Sequence, residues 1–160
     1  MKKLLSFFLM LVVILSMTGI SQAEMVLKLG HYANADHAGN DAAKMFAEGV
    51  ETRTNGEIKV EIYPNNELGN PPEVLEQNIL GVIDMSLPTQ GQLAKYSKKF
   101  GCVMLPFAYE GYDHAYKVLD GPFMKWAEGD LADAGLIFLS NWEWGFRNLT
   151  NSVRPVNSPA

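Results

Sequence analysis

VLKLGH at residues 26–31 and IKVEIY at residues 58–63 are two short apolar runs that enclose a segment of helical periodicity. Both runs are typical of strands, and the second alternates apolar and polar residues strictly. Between them, apolar residues recur at helical spacing from Ala42 to Val50, and Asn55-Gly56 marks the end of that helix. A strand, a helix and a second strand in this order predict a βαβ unit with parallel strands.

The same alternation continues along the chain. Pro71-Pro72 stands where a helix can start, and the apolar pattern carries that helix to Gly81. The run at 82–87 is predicted to be a third strand. Further elements follow: a buried strand at Phe100–Pro106, helices at Tyr112–Asp120 and Phe123–Ala134, and a fourth strand at Gly135–Ser140. This order predicts an α/β fold with a doubly wound sheet.

In doubly wound sheets, ligands bind at the carboxyl ends of the strands, so the residues after each strand are the candidates for a site. They include hydroxyls, amides, indoles and one guanidinium. We expect the following residues to line a cleft: His31, Tyr32, Thr89, Gln90, Trp142, Trp144 and Arg147.

The amino terminus fixes the expected compartment. Met1-Lys2-Lys3 is basic, residues 4–20 are almost wholly apolar, and Ser21-Gln22-Ala23 places small residues at the cleavage-determining positions. This pattern predicts a secretory signal peptide over residues 1–23, removed after Ala23. A membrane anchor is the alternative, but the small-residue exit and the lack of basic residues after it disfavour an anchor.

Charge and cysteine content narrow the function further. The formal net charge is −5, and it becomes −7 once Lys2 and Lys3 are removed with the leader. Nucleic-acid binding is disfavoured, because phosphates require a concentrated basic surface. The single cysteine, Cys102, cannot form an internal disulfide, and its apolar neighbours predict that it packs as a small hydrophobe.

Several short motifs resemble, in order and spacing, the DctP-type solute receptors of TRAP (tripartite ATP-independent periplasmic) transporters. They span most of the chain after the leader. The motifs are LKLGH at 27–31, FAE at 46–48, TNGEI at 54–58, IYPNNELG at 62–69, GVIDM at 81–85, LPF at 105–107 and GFRNLTNSVRPV at 145–156.

The resemblance implies a type II periplasmic-binding-protein fold, in which two lobes close on a small organic acid and a membrane permease then receives it. Residues 24–144 would form an incomplete first lobe, and residues 145–160 a crossover strand into a truncated second lobe. Relatives continue into a segment whose arginine makes the main salt bridge with the solute's carboxylate, and Arg147 matches a second family arginine that contacts solute. We further expect a monomer with no cofactor and no metal.

Two positions depart from the family pattern. Pro71-Pro72 replaces a charged pair before the second helix, which alters a helix start. Trp144 stands where relatives often have a smaller polar residue, which reshapes the expected pocket and leaves the identity of the solute open.

Each candidate site residue also has a structural explanation. A guanidinium matches a carboxylate in bidentate fashion, and Trp142, Trp144 and Phe146 would desolvate Arg147 if they line one side of a strand. Arg147 could equally form a cation–π contact or an ion pair with Glu143. The tryptophans could be core residues, and the polar loop residues need no ligand to explain them. Arg154 is expected to be a solvated loop residue.

Two other classes of protein stay open. A ligand-sensing domain or the binding protein of an ABC importer would use the same cleft and differ only in its partner. A periplasmic metal-dependent hydrolase would use the cluster of His31, Asp36 and His37. The spacing of that cluster matches no standard zinc motif, and no paired glutamate base accompanies it, so an enzyme is disfavoured.

Overall fold

The computed structural model describes residues 24–148 and 150–155 of the chain. The predicted signal peptide, residues 1–23, therefore lies outside the described residues. Within those ranges, no helix combines the length and the apolar composition that a membrane crossing requires.

Three parallel strands form the sheet: β1 (Met25–Gly30), β2 (Ile58–Tyr63) and β3 (Met85–Ser86). β1 lies in the middle, so the spatial order is β2-β1-β3. The connection from β1 to β2 moves to one side, and the next connection returns across β1 to reach β3. This reversal of strand order confirms the predicted doubly wound arrangement.

Five α-helices accompany the sheet in the described residues. They are α1 (Ala38–Arg53), α2 (Pro71–Ile79), α3 (Gln90–Leu93), α4 (Tyr112–Val118) and α5 (Met124–Asp133). α2 starts at Pro71 as predicted, because Asn70 caps it: the Asn70 side chain accepts the Glu73 backbone N–H, and the Glu73 carboxylate accepts the Asn70 N–H.

Helices cover both faces of the sheet. Leu29 is buried in a cluster with Ala43 of α1 and Val60 of β2. The next residue, Gly30, points to the opposite face, where an added Cβ would lie 3.0 Å from Val74 of α2. Glycine at this position therefore lets α2 approach the sheet closely. A second core, centred on Phe100, joins α2 to α5.

The third strand is shorter than the sequence predicted. Only Met85–Ser86 pairs with β1, whereas 82–87 was expected. The Asn78 side chain donates to the carbonyls of Ile83 (3.0 Å) and Asp84 (2.9 Å), and the N–H groups of Val82 and Ile83 donate to the Gln77 carbonyl. These bonds hold residues 82–84 at the end of α2, so these residues do not pair with β1.

The predicted strand at Phe100–Pro106 is wrong, because Lys98–Cys102 forms a 3₁₀ helix instead. The buried apolar residues here are Phe100 within this helix and Val103 just after it, three positions apart, which is one 3₁₀ turn. The prediction for Cys102 is also wrong: the residue is exposed, and its thiol donates to the Lys99 carbonyl at 2.9 Å.

Residues 112–134 form helices close to the predicted bounds. A wide turn over Leu119–Phe123, which contains Pro122, joins α4 to α5. The predicted strand at Gly135–Ser140 is wrong: these residues pair with no strand of the described sheet, although Leu136 is buried while Ile137 and Leu139 face outward. The described part of the expected crossover strand, residues 145–148 and 150–155, has no strand either.

Candidate functional site

A small crevice lies at the carboxyl ends of β1 and β3, where the strand order reverses. Its volume is about 10 Å³. This edge of a doubly wound sheet is where such folds bind ligands, because the loops after neighbouring strands diverge there. The lining residues come from the ends of all three strands and from the start of α2: Gly30, His31, Tyr32, Asn66, Pro71, Val74, Ser86, Leu87 and Pro88.

His31 is the first residue after β1 and is only 4% exposed. Its backbone is fixed on both sides, since its N–H donates to the Tyr63 carbonyl and its own carbonyl accepts the Asn66 N–H. Neither imidazole nitrogen has a hydrogen-bond partner among the described residues. Burial lowers the pKa of His31, and the nearby Asn40 side chain opposes this without forming a well-aligned hydrogen bond.

Tyr32, His37 and Trp144 form an aromatic cluster beside the crevice. The Trp144 ring stacks on His37 with 5.1 Å between centroids and lies 5.6 Å from Tyr32. His37 caps α1, because its Nδ1 accepts the Gly39 N–H at 2.9 Å. Gly39 lets the indole lie against the start of the helix, since an added Cβ would overlap the Trp144 ring. Trp144 thus covers the amino-terminal end of α1 next to the strand ends.

Arg147 lies near this cluster but is exposed. It is close enough to Tyr32 to act on the phenol: burial raises the pKa of Tyr32, and the charge of Arg147 partly opposes that rise. The expected shielding by indoles is wrong for this structure, as is the alternative ion pair with Glu143. The Glu143 carboxylate instead accepts the Gly145 N–H. Arg154 is exposed, as predicted.

Trp142 lies away from the crevice. Its ring packs edge-on against Phe46 of α1 at 6.2 Å, in the cluster that contains Leu29. The indole N–H donates to the Ser140 hydroxyl at 3.0 Å. The two tryptophans therefore do not share one wall: Trp144 lies beside the strand ends, whereas Trp142 contributes to packing.

Thr89 and Gln90 follow β3 by a few residues and are half-buried. Thr89 precedes α3, and its N–H donates to the Gln92 side chain at 2.7 Å. Pro88 lines the crevice, whereas Thr89 and Gln90 lie just beyond its lining. Both residues are close to the site along the chain, and their local bonds already explain their conformation.

Sequence reasoning missed two polar residues of the crevice, Ser86 and Asn66. Ser86 ends β3, and its hydroxyl donates to the Asn78 side chain at 2.9 Å. Asn66 follows β2 and adopts a left-handed conformation, with φ of 61°. The Asn65-Asn66 pair after a strand is a turn signal, and it could have directed attention to the carboxyl end of β2.

The residues of the alternative metal site do not assemble. Among the described residues, histidine, cysteine and carboxylate side chains form no group of three that could hold a metal ion. His37 caps a helix, and Asp36 is exposed. His31, Asp36 and His37 are therefore close in the sequence but do not form a metal site in the structure.

Comparison with known proteins identifies relatives that are named as binding proteins. The chain is 33% identical over 140 residues to the 2,3-diketo-L-gulonate-binding periplasmic protein YiaO of Escherichia coli, covering 88% of this chain and 43% of YiaO. A TRAP periplasmic solute binding protein from Ochrobactrum anthropi, crystallised with its C-terminus bound in the ligand-binding pocket, is similar to it with a TM-score of 0.80 and 37% identity. That match covers 83% of this chain and 42% of the other.

A third relative is the sugar acid binding protein DctPAm from Advenella mimigardefordensis, solved in complex with galactonate. It is similar with a TM-score of 0.77 and 32% identity, over 82% of this chain and 42% of that protein. The chain thus spans about two fifths of the length of these relatives. With residues 29–160 matching the family's model, the chain belongs to the bacterial extracellular solute-binding proteins, family 7 (DctP).

Proposed function

We propose that this chain forms one wall of a site that captures a small organic anion, a carboxylate, and that the receptor delivers it to a TRAP-type membrane permease. The observation that carries the proposal is the position of the crevice. It lies between the carboxyl ends of β1 and β3, where the strand order reverses, and His31, Tyr32 and Ser86 meet there.

Arg147 supplies the anion-binding group in this proposal. It is exposed near Tyr32, so its guanidinium is free to meet a carboxylate that enters beside the crevice. Trp144 contributes an apolar surface next to it. Tyr32, whose pKa is raised by burial, stays a neutral hydrogen-bonding group at neutral pH. Thr89 and Gln90 remain candidate ligand-binding residues at the rim of the crevice. Trp142 contributes to packing away from the crevice.

Binding rather than catalysis is the proposed activity. The family is one of solute-binding proteins, and relatives such as YiaO carry a ligand name rather than a reaction name. In our proposal the solute shifts an equilibrium between open and closed lobes, and no covalent bond changes. No cofactor takes part, and the receptor acts as a monomer.

The proposed location is the periplasm, reached through the signal peptide at residues 1–23. YiaO and the Ochrobactrum anthropi protein are described as periplasmic, which supports this location. The partner proposed is the membrane permease of a TRAP system. A sensor or an ABC importer would use the same crevice, but the family match favours the TRAP receptor.

A binding screen tests the proposal. The protein at its full natural length is titrated calorimetrically with galactonate, galacturonate, erythronate and succinate, and with glucose and galactose as uncharged controls. We expect at least one acid to bind and neither neutral sugar to compete. Binding of neutral sugars only, or of no acid at all, would overturn the proposed function.

A further inference from the structure

We propose that the aromatic face formed by Tyr112, Tyr116 and Phe146 is a docking surface for a basic, arginine-containing segment of a partner protein. The inference goes beyond the proposed function, because it concerns a protein partner and not the solute. Three observations carry it: an exposed row of aromatic rings, the carboxylates around that row, and an open concavity that adjoins it.

The aromatic row lies on α4 and on the segment that follows Trp144. Tyr112 and Tyr116 are about one helical turn apart on α4, with 6.2 Å between ring centroids, and Phe146 packs edge-on against Tyr112 at 4.9 Å. Each of these three residues is between 43% and 48% exposed. Single exposed aromatic residues are ordinary on protein surfaces, but rings in contact form a contiguous patch, which is typical of an interaction site.

Carboxylates lie around the aromatic row. Burial raises the pKa of the Tyr116 phenol, and the negative charges of Glu143, Asp113 and Asp120 raise it further. The same charges make the face attractive to a cation. Within the described residues, none of these three carboxylates takes part in a salt bridge. A cation from outside can therefore pair with them.

The local fold accounts for only part of this negative charge. Asp113 lies in the first turn of α4, where a carboxylate stabilises the helix through its dipole. Glu143 accepts the Gly145 N–H with one of its oxygens, and the other oxygen is left for a ligand. Asp120 follows α4, where a negative charge is unfavourable for the helix. Its position is therefore better explained by an external cation than by helix stability.

An open concavity adjoins the row at the start of α4. Its volume is about 570 Å³, which is enough for a long side chain. The lining contains two carboxylates, one lysine and the ring of Tyr112: Glu110, Gly111, Tyr112, Asp113, His114 and Lys117. A guanidinium in this space can stack on the tyrosine ring and donate hydrogen bonds to a carboxylate at the same time.

The shape of the surface favours a peptide segment over a small molecule. Small-molecule sites enclose most of their ligand, whereas these rings are about half exposed. The row also continues past the concavity, whose lining includes Tyr112 but neither Tyr116 nor Phe146. An extended segment can place one side chain in the concavity and others along the row. Arginine fits better than lysine, because its planar group stacks on aromatic rings and pairs with a carboxylate in bidentate fashion.

The experiment measures the binding of two synthetic peptides, hexaarginine and hexalysine, to the protein at its full natural length. Calorimetry at low salt gives the affinities of wild type and of two site variants. Tyr112→Leu removes the ring and keeps an apolar side chain. The double variant Glu110→Gln and Glu143→Gln removes two charges and keeps hydrogen-bond acceptors at both positions.

Each site variant has a matched control on another part of the surface. Phe107→Leu removes an aromatic ring that is fully exposed. The double variant Glu48→Gln and Glu51→Gln removes the same amount of charge from exposed positions of α1. All the substituted side chains are exposed, and the comparison of the two peptides in wild type needs no variant.

We expect wild type to bind hexaarginine at least about threefold more tightly than hexalysine. Tyr112→Leu should weaken hexaarginine binding about threefold and reduce the difference between the peptides, because the stacking surface is lost. The Glu110 and Glu143 double variant should weaken binding of both peptides about fivefold. Both controls should change either affinity by less than about twofold.

Three results would overturn the inference. Wild type could bind neither peptide at low salt, as it would if the rest of the receptor covers this face. It could bind the two peptides equally, and then the rings play no part. The two double variants could weaken binding equally, and then the net charge of the protein alone attracts the peptides. None of these results concerns the binding of organic acids, so the proposed function is tested separately.

Discussion

At the scale of single residues, the contact between Gly39 and Trp144 is the clearest example of close packing beside the crevice. Gly39 lies in the first turn of α1, where alanine would normally favour the helix by up to about 1 kcal/mol. A methyl group at this position would overlap the Trp144 ring. The glycine therefore makes room for the indole at the expense of helix propensity.

We predict that Gly39→Ala destabilises the chain in the wild-type background, because the indole must leave its stack on His37. In a Trp144→Ala background the same change should be neutral or stabilising by up to about 1 kcal/mol, since the clash is gone. Urea unfolding of the four proteins in this double-mutant cycle measures the difference. Equal effects of Gly39→Ala in both backgrounds would show that the indole does not lie on the helix.

His31 makes the stability of the folded chain depend on pH. Its pKa in the folded protein is lowered from 6.5, so the unfolded chain binds more protons between the two pKa values. Stability is then fully present above about pH 6.5 and is lost as the pH falls through the lowered pKa. We predict that the stability lost between pH 7.5 and pH 5.5 in urea unfolding is larger in wild type than in His31→Leu.

The other titratable groups are common to both proteins, so the comparison isolates His31. If wild type and His31→Leu lose the same free energy of unfolding between pH 7.5 and pH 5.5, this account of His31 is wrong. The test is independent of any ligand, because it concerns only the free energy of unfolding.

At the scale of elements, the sequence predicted the parts whose periodicity and end signals agree. β1, α1 and β2 occur nearly where the pattern placed them, with Asn55 and Gly56 in left-handed conformations after α1. The helix at Pro71 was predictable for the same reason, because its proline start coincides with an asparagine cap. Local signals suffice when they do not compete with tertiary contacts.

The failures occurred where a short apolar run has no further signal. The run around Phe100 supplies buried residues one helical turn apart, and a count of apolar residues cannot distinguish that spacing from a strand. Residues 82–84 are removed from the sheet by side-chain bonds from Asn78, which no local pattern reveals. Gly135–Ser140 has strand-like composition but no neighbouring strand within the described residues.

Phe100 tests the account of the second core. It is 2% exposed and contacts Phe123 edge-on at 5.1 Å and Phe138 at 5.8 Å. We predict that Phe100→Ala lowers the free energy of unfolding by about 3–5 kcal/mol, because it leaves a cavity. Phe107, which is fully exposed, is the matched control, and Phe107→Ala should stay within about 0.5 kcal/mol of wild type.

Chemical denaturation measures both variants. If Phe100 were part of a solvent-exposed edge strand, its truncation would cost no more than that of Phe107. Similar losses for the two variants would therefore contradict the packing described for the 3₁₀ helix and α5.

At the scale of the whole molecule, the doubly wound order and the family were predictable, but the site was predictable only in outline. Strand ends identified His31 and Tyr32, which the structure brings together in one crevice. The alternation of Trp142 and Trp144 suggested a shared wall, but the segment is not a strand and the two rings pack against different elements. Ser86 and Asn66 come from separate strand ends, so only the folded chain reveals that they meet.

The proposed role of Arg147 is to bind the carboxylate of the solute. The guanidinium is exposed, lies near Tyr32 and forms no ion pair within the described residues. Charge-assisted hydrogen bonds to a carboxylate contribute about 1.5–3 kcal/mol, which corresponds to about 10- to 100-fold in affinity. Arg154, also exposed, provides a control with the same charge.

Calorimetric titration of the full-length protein with its best organic acid tests this claim most directly, using wild type, Arg147→Ala, Arg147→Lys and Arg154→Ala. We predict that Arg147→Ala weakens binding about 10- to 100-fold, that Arg147→Lys restores part of it because the charge but not the bidentate geometry is kept, and that Arg154→Ala changes nothing. An Arg147→Ala protein that binds the acid with unchanged affinity and enthalpy would contradict the account.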